Sequence, residues 1–495
     1  MKFNILNNKS IWIFISALTL GIWARINLIP FTGDDAYITF RYARNIASGL
    51  GFVYNQGEYV LGTTTPLLTL ILASAKLISI PIIPVAKFLG FTFGLAYLLL
   101  IISQYNNFNK RAALTLLFAV TLSLLPTNVK WDVAGMETAL YIFLVYVILF
   151  YSENKSALVI GLVAALCFLV RIDGILVLGA LIISKIINKV PPKNIIKILV
   201  YFSIFILPWL IFATIYFGSP ISNSAIAKKI TYAHYPVWAF SLMIFNQLTT
   251  RLNLIISLPF MLATISSILY VLIRKKKFQI VAIWTILYIT FFSLTGAPMH
   301  SWYFAPLLPA IFFQLFVSLA DLFDWGTRKI TPQWSKLLNP ALIILTVFAL
   351  FAGIYLINSR AVELRENWQA FDEKIVDPIA DYVFKYGKEG DVLSLETFGS
   401  VGWFTDFPIL DRGGLVSPEV IPFNRKVNGV NSIDIILNFK PRFVVTWATW
   451  EEEKMFLNKD KTAKFYNNYK LIESYKIKTK DWNFYQRIDT KQSGN

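Results

Sequence analysis

Pro66-Leu67-Leu68-Thr69-Leu70-Ile71-Leu72-Ala73-Ser74-Ala75-Lys76-Leu77-Ile78-Ser79-Ile80 is the stretch on which the membrane topology of this chain turns. It is apolar, but it is shorter than the roughly 20 residues that cross a bilayer, and Lys76 would be costly at mid-membrane. Eleven other segments have near-membrane length: 11–30, 86–104, 112–128, 137–151, 158–170, 174–187, 195–217, 253–273, 278–295, 304–323 and 341–357. If 66–80 also crossed, Lys110-Arg111, the Lys185, Lys189, Lys193, Lys197 group and Arg274-Lys275-Lys276-Lys277 would all lie outside. Laid flat in the outer interface, it puts those clusters inside together with Arg328, Lys329 and Lys336, as the positive-inside rule demands. The expectation is a polytopic α-helical membrane protein with about eleven spans, a cytoplasmic N-terminus and an extracytoplasmic C-terminus in the cytoplasmic membrane.

Composition agrees with that reading. Of 495 residues, 56% are hydrophobic and only 15% charged, more apolar surface than a soluble domain of this size hides. The net charge of +17 collects mainly at segment ends, where lipid head groups and the insertion machinery favour it, so no nucleic-acid partner is expected. The single cysteine, Cys167, cannot form an internal disulfide. The segment 11–30 is longer than a signal core and lacks a small-residue cleavage site, so it reads as the first span.

On this topology the outer side gathers the long polar loop 31–85, Lys130-Trp131-Asp132 before Gly135-Met136-Glu137, a tight hairpin at Arg171-Ile172-Asp173, the loop 218–251, and a short loop containing His300. The domain division is 1–357 for the transmembrane part and 358–495 for a soluble extracytoplasmic α/β domain, because apolar runs shrink to strand length after Asn358. Short strands are expected at 392–396, 408–411 and 442–447, and helices at 368–386 and 432–439. The Gly-rich stretches around Gly399 and Gly413 read as tight strand connections or as contacts for an acceptor glycan. P-loop, dinucleotide and metal-type Cys/His spacings are absent from the sequence.

Gly33-Asp34-Asp35-Ala36-Tyr37-Ile38-Thr39-Phe40-Arg41-Tyr42-Ala43-Arg44-Asn45 follows the first span directly. Adjacent carboxylates at an apolar boundary repel each other and lose solvation, so at least one should have a raised pKa and be suited to accepting a proton. Tyr37, Arg41 and Arg44 recur at helical spacing, which predicts an interfacial helix with a polar face near the acids. The structural alternative is that Asp34 caps this helix and Asp35 sits in its first turn.

The run continues through Gly49-Leu50-Gly51-Phe52-Val53-Tyr54-Asn55, Gly57-Glu58-Tyr59-Val60 and Gly62-Thr63-Thr64-Thr65-Pro66-Leu67. As a whole it resembles the first outer loop of GT-C superfamily membrane glycosyltransferases that use polyprenyl-phosphate sugars. The closest resemblance is to terminal β-(1→2)-arabinofuranosyltransferase-like proteins, with Thr63 where that family has an aromatic residue. Further matches follow in order: Gly135-Met136-Glu137-Thr138-Ala139-Leu140, Arg171-Ile172-Asp173-Gly174, Gly218-Ser219-Pro220, Asn223-Ser224-Ala225-Ile226-Ala227-Lys228, and His300-Ser301-Trp302-Tyr303-Phe304-Ala305-Pro306, which lacks an expected arginine. Gly399-Ser400-Val401-Gly402-Trp403-Phe404 and Ile409-Leu410-Asp411-Arg412-Gly413-Gly414-Leu415 look like the family's outer-domain elements.

The resemblance implies transfer of a sugar from a polyprenyl-phosphate donor to a cell-envelope glycan or lipid-linked acceptor at the outer face. Such a donor carries its own leaving group, so the enzyme needs a base for the acceptor hydroxyl and cations for the phosphate. Asp34 is the expected base, with Asp35 as second choice or acceptor-orienting residue. Lys228, Lys229, His300, Tyr303, Arg41 and Asn223 are the candidates for donor phosphate and sugar, and Glu137, Asp132 and Trp302 for orienting the acceptor or sugar. Lys228 and Lys229 read alternatively as lysines snorkelling at an interface, and Arg171-Asp173 as a structural ion pair. A direct displacement would invert the donor anomer. No cofactor is expected to be required. A divalent ion at Asp34-Asp35 is the weaker option, since two neighbouring acids lack a third ligand. The competing class is a lipid or glycan transporter or flippase with an outer recognition domain. A transporter is expected to place charges inside several helices, whereas here they cluster at one surface.

Overall fold

The structure, a computed structural model, describes residues 8–109, 111–231, 236, 238–249, 254–296, 300–329, 332–369, 371–448, 451–477 and 480–488. Parts of the expected outer loops, 232–235, 237, 250–251 and 297–299, Asn253 at the start of an expected span, and Lys110 of the first basic cluster lie outside the described residues. The chain divides into two compact units. The first is drawn from Met1–Thr32, Pro84–Pro208 and Tyr235–Glu363, the second from Gly33–Ile83, Trp209–His234 and Leu364–Asn495.

Among the described residues, each of the eleven apolar segments falls mainly on a helix or, for 112–128, on a pair of helices. Six helices among the described residues are long and apolar enough to cross a membrane: Ser10–Leu28, Ile82–Phe108, Pro192–Phe217, Lys276–Thr295, Leu307–Lys329 and a run within Leu337–Tyr386. A seventh span arises if Ala112–Ser123 and Pro126–Asp132, bent by 52° at Leu124 and Leu125, count as one. The helices Thr138–Tyr151, Ala157–Val170 and Ile175–Ile187 have 14, 14 and 13 residues. At ~1.5 Å per residue each reaches only about 20 Å, so length alone does not make them spans. The stretch beginning at Pro66 folds as the helix Pro66–Leu77 with Lys76 exposed, and it packs on the helix Asp34–Ala47 of its own unit.

Inside the first unit a buried ion pair fixes the approach of three helices. Arg25 Nη2 lies 2.6 Å from Asp132 Oδ2, both side chains essentially without solvent contact, and Tyr97 donates its hydroxyl to the same oxygen at 2.9 Å. The sequence spacing Gly90-x-x-x-Gly94 makes room for it. A Cβ on Gly90 would sit 2.0 Å from the Asp132 carbonyl oxygen, and one on Gly94 would sit 2.7 Å from both Arg25 Nε and Asp132 Oδ2. Small residues one turn apart thus let backbone and buried charge meet.

The second unit carries a five-stranded sheet: β1 (Leu393–Leu395), β2 (Ile409–Asp411), β3 (Phe443–Trp447), β4 (Tyr469–Ile477) and β5 (Lys480–Arg487), in the order β2-β1-β3-β5-β4. β1 is parallel to both β2 and β3, pairing Leu393 with Ile409 and with Phe443. β5 is antiparallel to both β3 and β4, with Val445 opposite Phe484. The central strand β3 is buried on both faces, as its unbroken Phe-Val-Val-Thr run requires. The three expected strands and the helix Ser432–Phe439 are present. The β4–β5 pair is an addition to the expected elements. So is the helix Gly399–Thr405, which replaces an expected tight connection. Tyr42 and Tyr54, from the loop 31–85, are buried in one hydrophobic cluster with Ile379, Val383, Leu393, Val401, Phe443 and Phe484.

Candidate active site

The helix Asp34–Ala47 starts after Gly33, whose extended backbone serves as N-cap without any side-chain bond, so Asp34 does not cap its own helix. Its carboxylate turns instead to the start of the helix Gly399–Thr405. Oδ1 accepts from the Ser400 N–H at 2.8 Å and the Ser400 hydroxyl at 2.9 Å, and Oδ2 accepts from the Gly399 N–H at 3.2 Å. These donors are among those a helix N-terminus leaves without intrahelical partners, and an acid placed there is favoured by the dipole. Burial nevertheless pushes the Asp34 pKa up from 3.8 to about 6; the Ser400 hydrogen bonds oppose that rise and the neighbouring Asp35 charge adds to it. Asp35 is half-buried, and among the described residues its carboxylate makes no hydrogen bond. Asp372 is a further carboxylate in electrostatic reach of Asp34. Among the described residues no group of three or more His, Cys, Asp or Glu side chains is arranged to hold a metal ion.

Glycines permit this approach. A Cβ on Gly399 would lie 2.0 Å from the Asp34 carbonyl oxygen, and one on Gly402 would lie 2.1 Å from the Tyr54 hydroxyl. Arg41 is 3% exposed, not on an open polar face. It donates to the carbonyls of Gly402 at 2.8 Å and Phe407 at 2.9 Å, and its guanidinium lies 4.4 Å from the Tyr54 ring centroid. Arg44 pairs with Asp406 at 2.6 Å and covers Trp403. The expected polar face of the helix is therefore largely engaged in holding residues 399–407.

Asn223, Lys228 and Lys229 share the helix Asn223–Thr231. Asn223 donates to the carbonyls of Gly414 at 2.7 Å and Leu415 at 3.0 Å, and Thr231 to that of Gly413 at 3.0 Å. The turn they grip is shaped by Asp411, which accepts from the backbone N–H groups of Gly413, Leu415 and Val416. Burial raises the Asp411 pKa to about 7 despite those three bonds. Lys228 is half-buried and Lys229 exposed.

The remaining candidates belong to the first unit. Asp132 is the buried partner of Arg25 described above, so its carboxylate is already charge-paired. Glu137, 6% exposed, lies 3.3 Å from Arg171, which also grips Asp173 through Nε at 3.0 Å and Nη2 at 3.3 Å. The Arg171 guanidinium lies 5.1 Å from the ring centroids of both Tyr141 and Tyr303. Glu137, Tyr303 and the Arg171-Asp173 hairpin thus meet around one cation. His300 stacks flat on Trp302, with centroids 4.1 Å apart and an interplanar angle of 5°, and Trp302 meets Trp131 edge-on at 5.0 Å.

Ser400 and Arg25 are the partners that sequence reasoning misses. Ser400 carries no signal beyond its place between two glycines. Arg25 does carry one, as a lone arginine near the end of an apolar helix whose charge needs a buried acid.

Two crystal structures of ArnT from Cupriavidus metallidurans share this fold. The apo form superposes with a TM-score of 0.60, and the form bound to undecaprenyl phosphate with 0.56. In both, 12% of residues are identical over 96% of this chain and 97% of that one. A family model described as a domain of unknown function, DUF8728, matches residues 361–487. No curated protein matches the sequence. The chain thus has an ArnT-like fold over nearly its whole length, and its apolar helices are those of a multi-pass membrane protein.

Proposed function

We propose that this protein is a GT-C-type glycosyltransferase of the cytoplasmic membrane that moves a sugar from a polyprenyl-phosphate donor to a glycan or lipid-linked acceptor at the outer face. One observation carries the reading: the near full-length fold match to a protein crystallised with undecaprenyl phosphate. The acid pair at the head of the first outer loop supplies the chemistry. The acceptor O–H gives its proton to a carboxylate while its oxygen bonds to the anomeric carbon. The bond from that carbon to the phosphate oxygen breaks, and polyprenyl phosphate leaves with the electron pair, inverting the anomer.

Asp35 is the better placed base. Three acceptor positions of Asp34 are filled by Gly399 and Ser400, whereas no hydrogen bond among the described residues occupies Asp35. Asp34 then fixes the first turn in which Asp35 sits. The eleven-span topology and the outer placement of residues 358–495 belong to the same proposal, supported by the distribution of basic clusters.

The test is transfer of radiolabelled sugar by the purified full chain from a panel of polyprenyl phosphosugars into lipid-linked or glycan acceptors. Transfer from at least one donor is expected. Movement of the intact lipid across proteoliposomes with no transfer from any donor would overturn the enzyme reading in favour of a transporter.

A further inference from the structure

The ammonium of Lys130 sits 4.7 Å from the ring centroid of Phe31 and 4.4 Å from that of Trp131. Among the described residues it makes no hydrogen bond and has no carboxylate within ion-pair distance. Arg360 and Glu363 are in electrostatic reach, but Glu363 is already paired with Arg360 at 2.7 Å. A third cation, Lys87, donates to the carbonyl of the same Phe31 at 2.9 Å. Three cations and one engaged carboxylate leave a local positive excess beside the buried rings of Phe31 and Trp131.

Trp131 links this cation to a ring stack. Its indole N–H donates to the Ser301 hydroxyl at 3.0 Å, and its ring meets Trp302, on which His300 lies flat. A lysine held against ring faces is a point charge suited to a phosphate, and the flat His300–Trp302 pair is suited to the apolar C–H face of a sugar. We infer that Lys130 binds the phosphate of the polyprenyl phosphosugar and that the Trp302–His300 stack receives its sugar ring. This rests on the donor class proposed above and adds a residue and a platform to it. The alternative, a lysine that snorkels at the membrane surface, predicts no preference among lipid ligands.

The experiment measures binding of undecaprenyl phosphate, undecaprenol and phosphatidylglycerol to the full chain in detergent, with inorganic phosphate as competitor. Wild type should prefer undecaprenyl phosphate to undecaprenol. Lys130→Met should weaken that binding about tenfold or more, the scale of one lost charge-assisted hydrogen bond, and Lys130→Arg should retain most of it. Trp302→Leu should weaken a phosphosugar more than undecaprenyl phosphate, and Lys76→Met should change neither.

Equal binding of undecaprenol and undecaprenyl phosphate by wild type would sink the donor class itself. Discrimination preserved in Lys130→Met would overturn the Lys130 assignment and leave the donor class standing. Phosphatidylglycerol binding as well as undecaprenyl phosphate would make the site a general headgroup contact, and competition by inorganic phosphate alone would make it a free-anion site. Should Lys130→Met not fold, amine-reactive labelling of wild type decides: undecaprenyl phosphate should protect Lys130, and unchanged labelling overturns the inference.

Discussion

Asp34 and Ser400, 366 residues apart, share two hydrogen bonds at one carboxylate oxygen, 2.8 Å from the Ser400 N–H and 2.9 Å from its hydroxyl. With Oδ2 on the Gly399 N–H, a residue that opens one helix caps the start of another. The local expectation, Asp34 capping its own helix, names the right function at the wrong helix.

That relationship predicts a difference between two substitutions. Asp34→Ala removes the cap and should cost about 1–2 kcal/mol of stability. Asp34→Asn retains an acceptor and should cost much less. Ser400→Ala, which deletes only the hydroxyl bond, should fall between them. Thermal melting of the full chain in nonionic detergent reads the order. A melting temperature of Asp34→Ala equal to wild type would mean that the contact contributes nothing.

The same carboxylate sets a pH dependence. Folding raises the Asp34 pKa from 3.8 to about 6, so the folded state holds the proton more tightly than the unfolded one. This contribution is fully present below 3.8 and is lost as pH rises through about 6. Asp411, raised to about 7, acts in the same direction. The stability difference between wild type and Asp34→Asn should therefore shift in favour of wild type as pH falls through this window, and level off on either side of it. A difference independent of pH would show that Asp34 is not perturbed by folding.

Gly399 and Gly402 should tolerate no side chain. The Gly399→Ala methyl would meet the Asp34 backbone carbonyl, which cannot swing away, at 2.0 Å. The Gly402→Ala methyl would meet the Tyr54 hydroxyl at 2.1 Å, a buried group that can yield only by breaking its own bond to the Phe398 carbonyl. Each should destabilise by about 1–3 kcal/mol or more, Gly399→Ala the more severely. Melting temperature and yield check this, and near-native values for Gly399→Ala would contradict the close approach.

The helices were legible because each apolar run has its own length and punctuation, and the parallel strands because β1, β2 and β3 are short Leu/Ile/Val-rich runs among polar loops. The β4–β5 pair is harder to read. Its signal is only the alternation Asp481-Trp482-Asn483-Phe484, diluted by surrounding lysines. For the candidate site, residue types were legible but partners were not. Asp34 and Asp132 both announce themselves as acids at apolar boundaries, yet Ser400 and Arg25 are chosen by tertiary packing. The motif Gly399-x-x-Gly402 marks a close approach in either case, and only the packing on Asp34 and Tyr54 makes it the start of a helix.

Arg412 should behave as a buried ion rather than as an exchangeable charge. Fully buried, it sends Nε and Nη2 to the two Glu451 oxygens at 2.9 and 3.0 Å, Nη2 also to the Val445 carbonyl at 2.7 Å, and Nη1 to the Ser394 hydroxyl at 3.2 Å. Arg412→Met alone strands a buried carboxylate and should cost about 3–5 kcal/mol. Lysine cannot reproduce the fork and should rescue only in part. The pair Arg412→Met with Glu451→Leu should be milder than Arg412→Met alone, which a double-mutant melting series would show. An additive double variant would mean that the two side chains act independently.

Asp35 carries the sharpest functional expectation, because the two acids differ in occupancy rather than in kind. If Asp35 takes the acceptor proton, Asp35→Asn should cut sugar transfer by about 100-fold or more while leaving melting near wild type, since asparagine at neutral pH cannot serve as the base. Asp34→Asn keeps an acceptor for Ser400 and leaves the Asp35 carboxylate in place, so its loss should be smaller and should follow the position of the Gly399–Thr405 helix. The donor KM separates these effects from weakened binding: a base variant lowers kcat with KM little changed. If Asp34→Asn is inactive and Asp35→Asn active, the three hydrogen bonds on Asp34 orient a base instead of occupying it, and the roles proposed for the pair exchange. If the double Asn variant transfers sugar at a near-native rate, the chemistry lies outside the loop 31–85.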